Sequence, residues 1–402
     1  MRSIERIVRR DLCIGCGLCE TVFGQENLTM QLQSNGFLEP TIQNHKIYEE
    51  KIISRICPGV NIVNDQPFVR HERIWGKVIE SYSGYSEDKE IRTKGSSGGI
   101  ISAVAIYLLE NSIVDTVLQV GGNSKDFRRN SLKESKTRED VLSCATSRYA
   151  PAAVFRNILD ILRASSDSFL LIGKPCDISG IKNLLNEYPE YKERFKFFVS
   201  IVCAGIPSFN ATQDVIASFK NVKYPVTELA YRGNGWPGYF SFLDASGHRH
   251  QMSYNDSWGK KLGKKIHFRC KICPDGIGLQ ADMAVGDAWE TKDGYPDFTE
   301  RDGQSLILIR TTKALELLRK MQKDECVTIN SLPVEKLKSI QPFQYVRRRA
   351  VGARVMAVYI AKGVLLNFKG VRLWNNLLSQ SLKSIIREFG GTIKRILLKH
   401  EK

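Results

Sequence analysis

The sequence predicts an α/β (α+β) core between a cysteine-rich N-terminal region and a basic, helical C-terminal tail. Residues 1–65 hold four of the ten cysteines, and residues 343–402 carry 13 Lys or Arg against 2 Glu. Between them, strand-like and helix-like segments alternate, which is typical of α/β and α+β domains. We therefore divide the 402 residues into three domains, 1–65, 68–342 and 343–402, a number that this length allows.

The composition indicates in which cellular compartment the protein works and which class of partner it does not bind. The sequence opens without a basic and apolar leader and contains no run of 18 apolar residues, so we expect a cytoplasmic protein. In a reducing compartment, ten cysteines are expected to be metal ligands or catalysts rather than disulfides. Of the net charge of +16, the tail supplies +11. The core is therefore nearly neutral, which argues against a nucleic-acid partner.

The N-terminal cysteines have the spacing of an iron–sulfur site. Cys13, Cys16 and Cys19 form a Cys-x2-Cys-x2-Cys run, and Cys57 stands downstream in a Cys-Pro pair. Three closely spaced thiolates and one remote thiolate can hold a 4Fe-4S cluster, as in ferredoxins. A zinc site is the alternative, but zinc sites usually combine two Cys-x2-Cys pairs. Between Cys19 and Cys57, the segments 28–32 and 36–38 predict a hairpin.

The core is predicted from short apolar runs and from one glycine-rich helix start. The runs at 169–172 and 198–202 have the composition of buried strands. The predicted helices are Gly98–Asn111 and Ile178–Glu187, and the predicted strands are Val114–Val120, Phe169–Gly173, Phe197–Cys203, Tyr239–Leu243 and Leu306–Arg310.

A second set of cysteines follows two of these strands. Cys176 and Cys203 come just after predicted strands, and Cys270 and Cys273 form a Cys-x2-Cys pair. Because ligands in open α/β sheets bind outside the carboxyl ends of the strands, the four thiols can meet there. The spacing alone leaves two alternatives open, a second 4Fe-4S cluster or a catalytic cysteine beside a zinc loop. Cys144 and Cys326 are expected to be packing residues.

The segment Lys94-Gly95-Ser96-Ser97-Gly98-Gly99 precedes an apolar helix. Backbone amides at the start of a helix can bind an anion, and small residues let a flat ring approach the backbone. A flexible loop with a serine N-cap is the alternative explanation.

Together these segments resemble the coenzyme F-420 hydrogenase/dehydrogenase beta-subunit family, which includes 7-hydroxymethyl chlorophyll a reductases. The resemblance extends from about residue 10 to residue 312, and the N-terminal cysteines resemble the ferredoxin-like 4Fe-4S module often fused to this family. The matching segments are Ser96-Ser97-Gly98-Gly99, Ser147-Arg148-Tyr149, Gly173-Lys174-Pro175-Cys176, Cys203-Ala204-Gly205-Ile206-Pro207-Ser208, Cys270-x2-Cys273, Ala281-Asp282-Met283-Ala284-Val285-Gly286-Asp287-Ala288-Trp289 and Gly303-Gln304-Ser305.

The resemblance implies two 4Fe-4S clusters and FAD. It implies that the first cluster is held by Cys13, Cys16, Cys19 and Cys57, and the second by Cys176, Cys203, Cys270 and Cys273. With the glycine-rich turn, it predicts a flavin site at Ser96, Ser97, Gly98, Gly99, Ser147, Arg148 and Tyr149. Lys94, Arg148 and Lys174 are candidates for cationic groups near the flavin phosphates or its reduced ring. The chain has Gly-Lys-Pro-Cys-Asp where the family usually has Gly-Thr-Pro-Cys-Gln, and Cys-Ala-Gly where Cys-His-Gly is usual. These departures spare the ligands but bear on the substrate and on proton transfer.

The function that the resemblance implies is an oxidoreductase that passes electrons from ferredoxin or another redox protein, through both clusters, to FAD and a small-molecule substrate. Asp282 and Asp287 are candidates for orienting groups or proton relays, and no residue is assigned as the catalytic acid. The alternatives are an electron-transfer subunit that feeds a separate catalytic partner, with surface-polysaccharide biosynthesis as one setting, and an inactive scaffold. A homo-oligomer is compatible with each of them.

The C-terminal tail is expected to be an amphipathic helix that ends at Gly390-Gly391. Its apolar positions are Leu373, Trp374, Leu377, Leu378, Leu382, Ile385, Ile386 and Phe389, and its basic positions are Lys383, Arg387, Lys394, Arg395 and Lys399. Such a helix can lie on an anionic membrane, at its inner face for a cytoplasmic protein. The alternative is that the helix packs on the core or on a sister subunit.

Overall fold

A computed structural model describes residues 3–44, 50–66, 74–123, 126 and 128–398. Its fifteen described α-helices are α1 (Ser3–Arg9), α2 (Leu18–Phe23), α3 (Glu50–Ile56), α4 (Lys89–Lys94), α5 (Ile100–Glu110), α6 (Arg138–Ser143), α7 (Ile158–Ala164), α8 (Pro175–Glu187), α9 (Phe209–Ala217), α10 (Phe268–Lys271), α11 (Thr312–Lys323), α12 (Leu337–Ile340), α13 (Pro342–Lys362), α14 (Leu373–Leu378) and α15 (Leu382–Leu397).

The described strands follow the same order along the chain. They are β1 (Leu28–Leu32), β2 (Leu38–Ile42), β3 (Asn61–Val63), β4 (Glu80–Ser86), β5 (Thr116–Gly122), β6 (Asn130–Ser135), β7 (Phe169–Gly173), β8 (Phe195–Ile201), β9 (Thr227–Ala230), β10 (Tyr239–Leu243), β11 (Arg249–Ser253), β12 (Met283–Asp287), β13 (Thr291–Lys292), β14 (Tyr295–Pro296), β15 (Ser305–Ile309), β16 (Val327–Ser331) and β17 (Asn367–Lys369).

A mixed sheet of eight strands forms the centre of the protein, in the order β16-β4-β15-β12-β8-β7-β5-β6. The four neighbours β12, β8, β7 and β5 are parallel, and the pairs on either side of them are antiparallel. The carboxyl ends of β7 and β8 therefore lie side by side. This sheet confirms the α/β character of the core.

Helices cover both faces of this sheet, as a central run of parallel strands requires. Along β7, Leu170 and Ile172 pack into the core beneath α5, α6 and α11. Phe169 and Leu171 point to the opposite face and pack with α7, α8 and the N-terminal helices. Both faces of β7 are thus buried, which explains its uninterrupted apolar sequence.

The N-terminal region and the C-terminal helices also pack on the core. Strand β17 pairs in parallel with β3, so residues 367–369 of the C-terminal region form a two-stranded sheet with the N-terminal region. Helix α13 begins at the predicted boundary between the core and the tail, and it buries Val351, Val355 and Val358 in a core that includes Leu12 and Leu306. The boundary predicted between residues 65 and 68 lies partly outside the described residues.

The C-terminal segment is helical, as predicted, but one helix end was placed wrongly. Helix α15 runs from Leu382 to Leu397 and passes through Gly390-Gly391 without a break. Its last turns bury Thr392 and Ile396, and this tertiary packing outweighs the helix-breaking tendency of the two glycines. Lys399 lies outside the described residues. Within the described part of the chain, no helix combines the length and apolar character needed to cross a membrane.

Candidate functional site

The four N-terminal cysteines line one cavity whose other walls are mainly apolar. The lining residues are Ile4, Ile7, Val8, Cys13, Ile14, Cys16, Gly17, Leu18, Cys19, Met30, Pro40, Ile53, Ile56 and Cys57. Gly15 and Gly17 have φ angles of 72° and 85°, which only glycine adopts easily. A Cβ atom on Gly17 would lie 2.7 Å from the backbone nitrogen of Arg156. These glycines therefore let the cysteine loop turn tightly against the core.

Burial and mutual charge dominate the electrostatics of this first cysteine set. Burial, with an added contribution from Cys57, raises the pKa of Cys13 to about 12. Burial also raises the pKa values of Cys16 and Cys19 well above their ordinary value, and the neighbouring thiolates add to the effect. Four thiolates in such surroundings need cationic compensation, which iron ions supply when a cluster binds. The donor set and its cavity fit a cluster with four cysteine ligands.

The second cysteine set lies at the carboxyl end of the parallel strands. Cys176 is in the first turn of α8, directly after β7, and Cys203 follows β8 by two residues. The loop of Cys270 covers this end, because a Cβ atom on Gly205 would lie 3.3 Å from the Cβ atom of Cys270. The amide of Cys203 donates to the carbonyl oxygen of Gly276 at 2.8 Å.

Electrostatic interactions connect these four thiols. Burial raises the pKa of Cys176, and the charges of Asp177, Cys203 and Cys273 raise it further. Burial raises the pKa of Cys203 to about 12, with an added contribution from Cys270. The two strand ends and the Cys-x2-Cys segment thus lie near one another, and their assignment to one cluster stays a prediction. In the described residues, no three Cys, His, Asp or Glu side chains are close enough to hold one metal ion together. A cubane cluster does not need such a group, because each of its four thiolates binds a different iron.

Lys174 supplies a buried positive charge at the second cysteine set. Its ammonium group donates to Asp177 at 2.6 Å, and 13% of its side chain is exposed. Burial alone would lower the pKa of Lys174, but Asp177 and the thiolates of Cys176 and Cys203 outweigh it and hold this pKa above its ordinary value. Lys174, a candidate for a cationic group near the flavin, thus lies beside the thiols.

Arg269 connects the two cysteine sets. Its buried guanidinium donates from Nη2 to the carbonyl oxygen of Pro58 at 3.0 Å and from Nε to that of Gly59 at 2.5 Å. These carbonyl groups follow Cys57, whereas Arg269 itself precedes Cys270. Burial raises the pKa values of Cys57 and Cys270, and the positive charge of Arg269 makes both increases smaller. The two sets are therefore neighbours around one shared cation.

Helix α13 fixes the loop that carries Cys203. Gln344 and Arg347 each donate to the carbonyl oxygen of Cys203 at 2.9 Å, and Arg347 also donates to that of Ala204. Burial raises the pKa values of Cys203 and Cys270, and the positive charge of Arg347 makes both increases smaller. The C-terminal region, which the sequence analysis treated as a separate tail, therefore contributes directly to the surroundings of the second cysteine set.

The glycine-rich turn is packed more tightly than the sequence suggested. A Cβ atom on Gly98 would lie 2.4 Å from the carbonyl oxygen of Gly84 and 2.8 Å from the amide nitrogen of Ser305. The hydroxyl of Ser305 accepts from the Gly98 amide at 2.9 Å and lies 2.8 Å from the hydroxyl of Ser97. The expectation that Gly98 leaves space for a ring is wrong, because the chain's own backbone occupies that space.

Of the other residues predicted to bind the flavin, Ser96, Ser147 and Tyr149 make contacts inside the protein, whereas Lys94 lies on its surface. Ser96 and Ser147 meet, since the Ser147 amide donates to the Ser96 hydroxyl at 2.5 Å. Tyr149 packs against Tyr231 and Trp258. In contrast, the ammonium of Lys94 pairs with Glu90 on the surface at 2.9 Å.

Arg148, next to Ser147 and Tyr149 in the sequence, forms hydrogen bonds within the protein. Its guanidinium donates to Asn130 at 2.8 Å and to the carbonyl oxygen of Leu229 at 3.0 Å. Burial lowers the pKa of Arg148.

A buried ion pair that the sequence analysis did not find stands at the centre of this group. Arg232 forms two hydrogen bonds with Asp287, at 2.8 and 3.0 Å, and also donates to the carbonyl oxygen of Ser96. The indole of Trp236 donates to Asp287 at 2.8 Å and stacks on Trp289 at 4.9 Å. Only Asp287 was singled out from the sequence. The signal for Arg232 was weak, because it precedes a glycine-rich loop that matches no motif.

The chain was compared with known protein families. Residues 81–158 match the N-terminal region of the coenzyme F420 hydrogenase/dehydrogenase beta subunit, and residues 166–335 match its C-terminal region. Together the two matches span more than half of the chain. The chain belongs to the coenzyme F420 hydrogenase/dehydrogenase beta-subunit family, as the sequence analysis predicted.

Individual relatives are distant. The chain is 25% identical over 253 residues to the coenzyme F420 hydrogenase subunit beta of Methanococcus voltae, a match that covers 61% of this chain and 82% of that protein. It is 24% identical over 357 residues to the coenzyme F420-dependent sulfite reductase of Methanocaldococcus jannaschii, a match that covers 84% of this chain and 50% of that protein. The chain thus spans about half the length of this sulfite reductase.

A solved structure has a similar fold. It is a chain of the F420-reducing NiFe hydrogenase complex from Methanosarcina barkeri, with a TM-score of 0.55 and 20% identity. The match covers 72% of this chain and 95% of that chain. This similarity supports the fold. The two relatives described above are themselves named for coenzyme F420-linked oxidoreductases.

Proposed function

We propose that this chain is an iron–sulfur flavoprotein oxidoreductase that moves electrons between a redox partner and a small-molecule substrate. The observation that carries this proposal is the pair of complete cysteine sets, brought together around Arg269. One buried set would also suit a structural metal site. Two neighbouring sets of four cysteines favour electron transfer instead, because two clusters held close together can pass electrons from one to the other.

Each of the two proposed clusters has its own set of four cysteine ligands. Cys13, Cys16, Cys19 and Cys57 hold one 4Fe-4S cluster, and Cys176, Cys203, Cys270 and Cys273 hold the other. Clusters exchange single electrons, and a flavin exchanges electrons singly or in pairs. Lys174 and Arg269 supply fixed positive charge beside the thiolates. They compensate the negative charge that a reduced, buried cluster carries.

The flavin is proposed to be FAD, bound near the Ser96–Gly99 turn, Ser147, Arg148 and Tyr149. The hydrogen bond that joins Ser96 to Ser147 supports this placement, because it connects two segments of the predicted site. Lys94 and Lys174 complete the proposed set, although Lys94 would have to leave its exposed pair with Glu90 to reach a phosphate.

Coenzyme F420 is the first substrate to test, because several relatives are named for it. The second candidate function is electron transfer to a separate catalytic partner, which is favoured because the chain resembles one chain of a hydrogenase complex. Ferredoxin or another redox protein would then be the electron donor. Reduction of coenzyme F420 by the isolated protein, with a reduced dye as donor, distinguishes the two. Reduction of cluster and flavin without turnover would favour the second.

FAD should be released when the anaerobically purified protein is denatured by heat. We expect about one FAD per chain, and we expect Ser96→Ala to weaken FAD binding roughly five- to tenfold, because one net hydrogen bond is worth about 1 kcal/mol. Fluorescence of the released flavin and a titration of the apoprotein measure these quantities.

Ser339→Ala is the matched control for the Ser96 substitution. It removes a hydroxyl that donates to the carbonyl oxygen of Lys336 on the surface at 2.9 Å. If FAD neither copurifies nor binds at micromolar concentration, the flavin assignment fails. If both serine variants bind FAD equally well, the Ser96 turn is not part of the flavin site.

Arg347→Met should lower the reduction potential of the second cluster. The substitution removes a positive charge that stabilises the more negative, reduced state, and a loss of about 1 kcal/mol corresponds to roughly 40 mV for one electron. Arg347→Lys keeps the charge and should recover most of the potential. Redox titration followed by electron paramagnetic resonance measures the shift. Equal potentials in all three proteins would show that Arg347 only positions the loop.

A further inference from the structure

Helices α14 and α15 carry an apolar ridge on their outer side, formed by Trp374, Leu378, Leu382 and Ile386. The exposed fractions of these side chains are 55, 81, 71 and 61%, respectively. The two residues in each helix are four positions apart and therefore share one face of that helix. Large apolar residues that are exposed together in this way indicate a surface that contacts something other than water.

The ridge is exposed because other sides of the two helices pack against α13. Leu373 and Leu377 of α14 are buried, as are Thr392 and Ile396 of α15. Glu388 forms an ion pair with Arg354 of α13 at 2.8 Å, with both side chains largely buried. Rotating α15 to cover the ridge would break these contacts. The sequence-based alternative, in which this segment packs on the core, therefore describes only its inner side.

Positive charge surrounds the ridge. Lys383, Arg387 and Lys394 are exposed on α15. Residues 372–398 contain five Lys or Arg and one acidic residue, Glu388, which pairs with Arg354 at 2.8 Å and with the exposed Arg387 at 3.6 Å. A surface that combines exposed apolar side chains, an interfacial tryptophan and basic residues is suited to the boundary between lipid headgroups and acyl chains.

We propose that the outer face of α14 and α15 docks on an anionic lipid surface. The apolar ridge enters the headgroup region, and the basic residues contact the anionic headgroups. A second copy of the chain fits this face less well, because a two-fold contact would bring the two sets of basic residues together. The proposal is independent of the cofactors, so it stands or falls separately from the proposed function.

Cosedimentation of the anaerobically purified, full-length protein with lipid vesicles tests the proposal. We expect binding to vesicles that contain about one third phosphatidylserine and little binding to vesicles of phosphatidylcholine alone. Leu378→Ser with Ile386→Ser should reduce the partition coefficient about tenfold or more. Lys383→Glu with Lys394→Glu, two exposed positions away from the Arg354–Glu388 pair, should have a similar effect. Raising the salt from about 0.1 M to about 0.5 M should weaken the wild-type binding.

Lys220→Glu with Lys223→Glu provides the matched control, because it changes the net charge equally at exposed positions in another part of the molecule. This variant should bind nearly as well as the wild type. Equal binding by the wild type and the ridge variant would overturn the proposal, as would failure of the wild type to bind anionic vesicles. A dimer that forms without lipid and is abolished in the ridge variant would assign the face to a second copy instead.

Discussion

Cys57→Ser is expected to remove about half of the iron from the anaerobically purified protein. The wild type should contain about eight iron and eight acid-labile sulfide per chain, and the variant about four of each. The reason is that Cys57 is the one ligand of its set that lies outside the 13–19 segment. A cavity with apolar walls offers no replacement ligand, so a site reduced to three thiolates should lose its cluster.

Two further variants make this test specific. Cys326→Ser removes a thiol that packs at the edge of the core beneath α5 and α11, and it should leave the iron content unchanged. Cys273→Ser should also remove about half, but from the other set, so the two half-loaded proteins should differ in their paramagnetic spectra. Stoichiometric zinc without labile sulfide would contradict both cluster assignments. Complete loss of iron in Cys57→Ser would show that the two sites assemble as a unit.

The elements that the sequence predicted well are those whose signal is local. Strand β7 was bounded correctly because five consecutive residues are buried and apolar. The hairpin and its first strand, β1, were also predicted correctly, but the second segment, predicted at 36–38, overlaps β2 only at Leu38. Strands β5 and β8 were found but shifted by about two residues, because their ends depend on pairing with neighbours that the sequence does not identify.

The parts of the site that could not be predicted depend on contacts between distant residues. Cysteine spacing suggested both sets, and the strand ends placed Cys176 and Cys203 together. No local pattern indicates that Arg269 reaches the carbonyl groups after Cys57, more than 200 positions earlier. Arg347 was counted among the tail charges, although it binds the loop of Cys203. Long polar side chains acquire such roles only when the tertiary fold brings buried carbonyl groups within their reach.

Arg232→Met is expected to have the second large effect, on stability and on flavin content together. The substitution leaves the carboxylate of Asp287 without its cation while 18% of that side chain is exposed. Burial alone would lower the pKa of Arg232, but Asp287 reverses this and raises it well above its ordinary value. Removing one partner of a buried ion pair typically costs about 3–5 kcal/mol. For a protein of this size we expect the Tm to fall by roughly 4–6 °C.

A double-mutant cycle separates the ion pair from the size of the side chain. Asp287→Asn alone should also destabilise the protein, because it leaves the guanidinium of Arg232 buried and unbalanced. The double variant, Arg232→Met with Asp287→Asn, removes both charges and should be more stable than the sum of the single changes predicts. Thermal unfolding of all four proteins gives the coupling between the two residues. Additive losses would mean that Arg232 acts through packing on Tyr254 and Trp289 rather than through charge.

The flavin content of the same four proteins tests the position of the pair in the site. Arg232 donates to the carbonyl oxygen of Ser96, and the hydroxyl of Ser96 accepts from Ser147. Loss of the guanidinium should therefore loosen the turn proposed to hold FAD. We expect the double variant to recover stability but not FAD binding, since only the charge balance is restored. Recovery of both would place the flavin away from Ser96, whereas full FAD content in Arg232→Met would show that this turn is fixed by its contacts with Ser305 alone.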